Sequence, residues 1–359
     1  MEIGIIGLPQ SGKTTVFNAL TQGSVPLQGT GGGKVEVHRG VSKVPDARLA
    51  HLGQLFAPRR VVPAEVRYID IGGAHAHKGV GEARLTQIRP ATAIGVVIRC
   101  FAAPHVPHPY GRIDPLRDYQ EVMGELLISD LQVVEGRLER LKKSVRRGEK
   151  ASREELELLE RCLTCLEEEQ PLRTLSFAPA EEKLLRGFQF LTAKPLLIIL
   201  NMDEEQIVGE REELLARFTP YAALPQTAVF PLCGALEMEI AQLDEQDSQA
   251  FLQEIGEEES ARSRLIRLSY QLLHLISFFT IGTDEVKAWT IRQGTPAVKA
   301  AGVIHSDMER GFIKAEVISY ETLVKAGSFA EARKQGLLRL EGKDYTVQDG
   351  DIITFRFNV

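Results

Sequence analysis

The sequence predicts an α/β protein: a doubly wound, mainly parallel sheet, interrupted by a helical hairpin and followed by a smaller β-rich module. Three observations carry this reading. Short apolar runs at residues 3–6, 66–71, 93–101, 195–200 and 228–232 lack polar alternation, as strands buried on both faces do, and helical patterns separate several of them. A glycine-rich turn at residues 7–14 joins the first run to a helical pattern at Val16, Phe17 and Leu20. Beyond residue 280 the grammar changes to short strands parted by turn signals such as Glu341-Gly342 and Asp349-Gly350.

The alternation stops between residues 119 and 190. There Leu127, Leu131, Val134, Leu138, Leu141 and Val145 recur at steps of three and four, which predicts a helix of many turns. Gly148 breaks it. Ser152, with Glu155 three residues on, makes a capping box, and Leu156, Leu159, Leu163 and Leu166 predict a returning helix. The first helix ends in a basic stretch (residues 137–153) and the second is rich in glutamate. Opposite charges favour antiparallel pairing, each exposed pair adding about 0.3–0.5 kcal/mol. In the last module, residues 286–291, 313–318, 337–340 and 352–357 read as strands, with one helix-like stretch at 296–309. The expected organisation is a core of residues 1–118 and 193–278, an inserted arm of 119–192 and a terminal domain of 279–359.

Composition narrows the function. The 359 residues are 43% hydrophobic, enough to fill real cores. The 43 basic and 49 acidic side chains give a net charge of −6, so no global positive field advertises nucleic acid. The basic stretch in the arm reads as a solvated face or as an RNA-docking surface, and no DNA sequence recognition is expected. No run approaches the ~20 apolar residues of a membrane span and the start lacks a charged leader, which predicts a cytoplasmic protein without membrane contact. Cys162 and Cys165 form a lone C-x-x-C in a helical stretch. They read as buried helix positions, with zinc or redox chemistry as the alternative, and Cys100 and Cys233 read as core.

The strongest chemical signal is GLPQSGKT at residues 7–14, the G-x-x-x-x-G-K-[ST] pattern between a strand and a helix. The phosphate-binding segment spans Leu8, Pro9, Gln10, Ser11, Gly12, Lys13, Thr14 and Thr15: amides curl round the phosphates, and Lys13 adds a point charge. The Thr14 hydroxyl is suited to Mg²⁺. In YIDIGG, Asp70 ends a strand and would hold the magnesium through its water shell, while Gly73 could donate its N–H to the γ-phosphate. In LLIILNMDE, Asn201 follows a buried strand and Glu204 lies three residues on. The guanine-specific pattern has lysine and aspartate where Met202 and Glu204 stand. A carboxylate one methylene longer fits the paired N–H donors of guanine poorly, and Asp203 has the wrong spacing.

These residues resemble the YchF-type Obg-like ATPases, a branch of the translation-factor-class P-loop GTPases, from end to end. The P-loop, VPDARL at 44–49, DIGG, the inserted arm, N-x-x-E, CGALEMEI at 233–240 and the C-terminal stretch all match; the last reads nearly as a TGS domain. The resemblance implies a β-grasp C-terminal domain, ATP hydrolysed in preference to GTP with Mg²⁺, and association with ribosomes or RNA through the arm and TGS domain. It adds Cys233, Gly234 and Ala235 to Asn201, Met202 and Glu204 as base contacts. Counted from Cys100 and Phe101, the family's proposed catalytic histidine falls on His108, with Gly111 and Pro115 in register; a surface loop histidine is the competing reading. Ala74 stands where ordinary GTPases carry a glutamine. Two departures stand out. Lys34 occupies the position of the family's magnesium-reaching threonine, and the stretch after DIGG is about four residues short. The leading expectation is a slow ATPase switch with Lys13 and His108 catalytic; the alternative is a nucleotide-binding scaffold with little or no hydrolysis.

Overall fold

The computed structural model describes residues 1–26, 36–72, 79–146, 153–255 and 257–358, with backbone only at 145, 146 and 245. The chain divides into two compact units, Met1–Ser42 with Arg67–Leu265, and Lys43–Val66 with Ile266–Val359. Strand β1 (Glu2–Ile6) leads through the glycine turn into helix α1 (Lys13–Thr21). Then come β2 (Glu36–Lys43), α2 (Ala47–Phe56), β3 (Arg60–Val62), β4 (Glu65–Gly72), α3 (Glu82–Ile88) and β5 (Ala93–Arg99). The long helices α4 (Pro115–Arg146) and α5 (Arg153–Glu167) and the short α6 (Pro179–Leu185) precede β6 (Leu196–Asn201). Helices α7 (Glu204–Gly209) and α8 (Arg211–Ala222), β7 (Thr227–Leu232), α9 (Gly234–Ile240), α10 (Glu245–Glu254) and α11 (Ala261–Leu272) complete this part.

The first unit holds a six-stranded sheet in the order β2-β4-β1-β5-β6-β7, and the pairings of β1 with β4 and β5, of β5 with β6 and of β6 with β7 are parallel. All residues of β5 and β6 are buried, which is why AIGVVIR and LLIILN read as unbroken apolar runs. One core joins Ile69, Val96, Ile98, Ile198 and Leu200 of the sheet to Leu85, Ile88, Val122, Leu126 and Phe218 of the helices. Carboxyl ends of parallel strands collect on one edge, and that edge is where α/β sheets place ligands.

Helix α4 is 32 residues long, about 48 Å at 1.5 Å per residue. Its Val134, Leu138 and Leu141 pack with Leu158, Leu159, Cys162, Cys165 and Leu166 of α5 in a core of their own. Both cysteines therefore fill space, and burial pushes the Cys162 thiol up to about 12. Across the hairpin Arg137 bonds Glu155 through two nitrogens at 2.7 and 3.0 Å, and Lys142 lies 3.7 Å from Glu160, the charge pairing that the sequence predicts. Ser152, the expected cap, and Gly148 fall outside the described residues. Where the chain returns from the arm, the buried Asp130 accepts from the amides of Leu191 and Thr192 and the Thr192 hydroxyl, and pairs with Arg89 at 3.1 Å.

The second unit builds a six-stranded sheet from β8 (Leu275–Ile281), β9 (Glu285–Arg292), β10 (Phe312–Ser319), β11 (Arg339–Glu341) and β12 (Asp351–Phe357), with β3 added at its edge. Helix α12 (Ala297–Ile304) contributes Ala297 and Ala300 to a core with Phe278, Ile291, Ala315, Val317 and Ile353. Two differences from the sequence reading follow. Residues 43–66, assigned there to the nucleotide-binding core, cluster with the C-terminal unit: β3 pairs in parallel with β9, and Arg48 of the VPDARL segment bonds both Asp46 and Asp349. The 296–309 stretch is two helices, because extended His305 (φ −158) breaks it and its ring accepts from the Asp307 amide to start α13 (Ser306–Arg310).

Candidate functional site

The glycine turn is shaped by close approach. A Cβ on Gly7 would lie 2.4 Å from the Val97 carbonyl oxygen, and one on Gly12 would lie 2.2 Å from Asn201 Nδ2; Gly12 also has φ +88. Only glycine serves at either place. No side chain caps α1 and its first turn holds no acid, so its N-terminal amides and dipole face the turn. Such a helix end favours an anion.

Lys13 is buried and its ammonium donates to the Leu8 carbonyl at 2.8 Å, folded back over the loop. Burial lowers its pKa to about 8; the Arg84 guanidinium adds to that and Asp70 opposes it. Thr14 Oγ1 donates to Asp70 Oδ2 at 2.8 Å. The other Asp70 oxygen and Ser11 Oγ are buried with no hydrogen-bond partner among the described residues, and burial raises the Asp70 pKa. A hydroxyl and a carboxylate with an open oxygen are the donor set a hard divalent cation needs. Gly73, the expected γ-phosphate donor, lies outside the described residues, as do Ala74 and Lys34.

Asn201 braces the loop. Its Nδ2 donates to the Ser11 carbonyl at 3.0 Å and its Oδ1 accepts from the Gly234 amide at 3.1 Å, joining the P-loop to the start of α9. Met202, expected at the base, is 2% exposed and packs in the sheet core, so its apolar side chain seats this turn from below. Asp203 caps α7 by accepting from the Gln206 amide at 3.0 Å, the role its spacing allows. Glu204 and Ala235 are exposed, and Cys233 is buried at the N-cap of α9. The sequence reading used Phe101 only as a landmark. The ring lies under the Arg99 guanidinium at 4.7 Å, and its edge is 3.7 Å from a Cβ built on Gly12, which makes it an aromatic wall beside the loop.

His108 is tied down rather than exposed. Its Nε2 lies 2.7 Å from Asp118 Oδ2, its Nδ1 accepts from the Tyr110 amide at 3.1 Å, and Arg117 holds the other Asp118 oxygen at 2.7 Å. Its side chain is 4% exposed. With both ring nitrogens engaged, this conformation offers none to an attacking water. Arg99 fixes the same loop by donating to the carbonyls of Phe101, Ala103 and Val106. On the other flank, Glu125 of α4 accepts from the amides of Val80 and Gly81, both at 2.8 Å, and so pins the start of α3. Arg84, in that first turn of α3, is a buried cation near Asp70 and Lys13 that the sequence reading passed over.

A doubly wound sheet whose first strand ends in this cradle, with a carboxylate from β4 bonded to the loop threonine, defines a P-loop nucleotide-binding protein. A family model described as "50S ribosome-binding GTPase" matches residues 2–132, and the YchF-GTPase_C model, described as "Protein of unknown function (DUF933)", matches residues 275–358. Among curated relatives, "Ribosome-binding ATPase YchF" of Bacillus subtilis is 39% identical over 361 residues, with 99% of each chain covered. Its namesake from Haemophilus influenzae is 41% identical over 360 residues, again with 99% of each covered. A solved structure, that of the Schizosaccharomyces pombe YchF GTPase, aligns with TM-score 0.85 at 29% identity, covering 99% of this chain and 97% of that one. The chain belongs to the YchF family.

Proposed function

We propose that the chain is a ribosome-associated P-loop NTPase that binds ATP, with GTP weaker or comparable, together with Mg²⁺, and hydrolyses it slowly as a nucleotide-dependent switch. The observation that carries this is the pairing of half-buried Thr14 with buried Asp70 beside a Lys13 parked on its own loop. Three polar groups are held together, two of them buried, and one Asp70 oxygen has no partner among the described residues. The names of relatives at 39–41% identity across the whole chain supply the ribosome and the ATPase activity.

In this reading Lys13 leaves the Leu8 carbonyl for the β- and γ-phosphates, while the amides of residues 8–15 line the cradle. Thr14 and, through water, Asp70 would hold Mg²⁺, which would supply positive charge beside the phosphoryl oxygens. Asn201 keeps the loop and the Cys233–Ala235 turn in register beside the base, with Phe101 as its apolar wall. Glu204, at the exposed start of α7, carries its carboxylate one methylene further out than the guanine-specific aspartate and so fits the paired N–H donors of guanine poorly, which favours adenine. His108 joins the reaction only after its loop swings away from Asp118. A ribosomal partner makes the protein cytoplasmic; among the described residues no helix is long and apolar enough to cross a membrane.

One observation favours the second reading, binding without turnover: both nitrogens of His108 are already bonded. Single-turnover assays with Mg-ATP decide between the two. Product formation abolished by Lys13→Ala supports the switch, tight binding without product supports the scaffold, and no nucleotide binding at all refutes both.

A further inference from the structure

We propose that Arg84 is a second phosphate-binding cation, reaching the terminal phosphate together with Lys13 and stabilising the charge that develops on it during transfer. The inference rests on the P-loop reading above and names a residue that reading does not use.

The placement follows from packing. Helix α3 runs back along the sheet after β4, so its N-terminus sits at the carboxyl edge where the P-loop lies. Ile88 packs on β1: its Cγ2 stands 2.9 Å from a Cβ built on Gly4. Arg84 is one turn nearer the N-terminus on the same face of α3, and β1 runs from Gly4 toward Gly7 in that same direction. That order puts Arg84 toward the end of β1 that leads into the glycine turn. It is 8% exposed, and its Nη1 donates to the Val80 carbonyl at 3.2 Å. The turn that carries it is fixed by Glu125, which accepts from the Val80 and Gly81 amides.

The electrostatics agree with that placement. Asp70 acts on both Lys13 and Arg84, and Arg84 acts on Lys13. Burial lowers the pKa of both cations, and each is folded onto a nearby backbone carbonyl, Leu8 for one and Val80 for the other. Two buried cations within the field of one carboxylate form a locally positive site, which suits an added polyanion. Since Asp70 marks the metal and γ-phosphate end of such sites, the terminal phosphate is the part Arg84 meets. A planar guanidinium can grip two of its oxygens at once.

The test compares wild type, Arg84→Gln and Arg84→Lys in the full-length protein. Affinities for ADP and for a non-hydrolysable ATP analogue are measured with Mg²⁺ alongside single-turnover hydrolysis of ATP. The expected result for Arg84→Gln is analogue affinity down roughly tenfold, ADP affinity within about twofold, and turnover down on the order of 100-fold. Arg84→Lys should recover part of each loss, and unchanged ADP binding certifies folding. Turnover and analogue affinity within twofold of wild type would overturn the proposal, as would equal losses for ADP and analogue. The wild-type arm separately judges the nucleotide-site reading, which fails if wild type binds no nucleotide. If wild type binds without turnover, the analogue-against-ADP difference alone decides on Arg84.

Discussion

Replacing Asn201 tests how far the nucleotide site depends on a brace outside the P-loop. The side chain is 4% exposed and makes two hydrogen bonds, donating to the Ser11 carbonyl and accepting from the Gly234 amide. Asn201→Ala removes both and strands two backbone groups, Gly234 being buried as well. Each net bond is worth about 0.5–1.5 kcal/mol and a stranded buried group costs about 1–3 kcal/mol, so a loss of roughly 2–4 kcal/mol is reasonable. If 2 kcal/mol of that appears as lost ordering of the loop, nucleotide affinity falls on the order of thirtyfold. Asn201→Asp sharpens the case. It keeps the acceptor for Gly234 but puts a carboxylate oxygen where Nδ2 now meets the Ser11 carbonyl at 3.0 Å, so it should bind more weakly than the alanine variant. Titration with a fluorescent ATP analogue, with thermal melting as the fold control, gives the ordering. Alanine within threefold of wild type, or aspartate tighter than alanine, refutes the reasoning.

Lys13→Met should stabilise the nucleotide-free protein at pH 7 while abolishing nucleotide binding. A fall from 10.5 to about 8 means the buried ammonium costs roughly 3 kcal/mol below pH 8. Between about pH 8 and 10.5 the unfolded chain binds the proton that the folded one has released. Wild-type stability therefore rises with pH and the gap to Lys13→Met closes, as melts at pH 7 and 9.5 will register. A gap of constant size denies the burial cost. His108→Ala should slow single-turnover hydrolysis at least tenfold with nucleotide affinity within threefold, and an unchanged rate removes the histidine from the mechanism. Glu125→Gln should speed amide exchange at Val80 and Gly81 roughly tenfold, because a charged acceptor of two bonds becomes a neutral acceptor of one. Equal exchange in both proteins counts against the pin. On the arm, Arg137 and Lys142 are committed to α5, whereas Arg140 is exposed and bonds only its own helix among its side-chain contacts here described. Reversing Arg140 and Lys143 should weaken ribosome co-sedimentation and flatten its salt dependence; indifference restores the solvated-face reading.

What the sequence discloses depends on whether a feature is local. Strands β5 and β6 are legible because burial on both faces leaves no polar position. Strand β2, EVHRGVSK, goes unseen since only Ser42 in it is buried. The short β3 owes its existence to a partner strand more than 200 residues away, Arg60 facing Glu285, and no window of sequence reveals that. The same division holds in the site. The P-loop is a contiguous pattern, Asn201 ends the buried β6, and Asp70 lies in the buried last part of β4, so spacing finds them. Met202 looks like a base contact by its place in N-x-x-E, yet its side chain points into the core. The bond from His108 to Asp118 spans ten residues round an irregular loop, and the nearness of Arg84 to Asp70 needs the α3–β1 packing first.

Helix α4 explains why these scattered features belong to one device. Its first turn holds Asp118, bonded to His108; a turn on, Glu121 accepts from the Tyr110 hydroxyl at 3.0 Å; Glu125 takes the amides that start α3; and Asp130 anchors the chain leaving the arm. Four carboxylates along one continuous helix thus bond the histidine loop, the segment that positions Arg84, and the base of the hairpin. All four bonds are made by one unbroken run of helical residues, so the histidine loop, the start of α3 and the base of the hairpin share a single element. The loop of His108 and the start of α3 meet the arm-bearing helix by hydrogen bonds to carboxylates of α4, each worth about 1.5–3 kcal/mol. That is the scale on which gaining or losing a terminal phosphate could move an arm-bearing helix without unfolding anything.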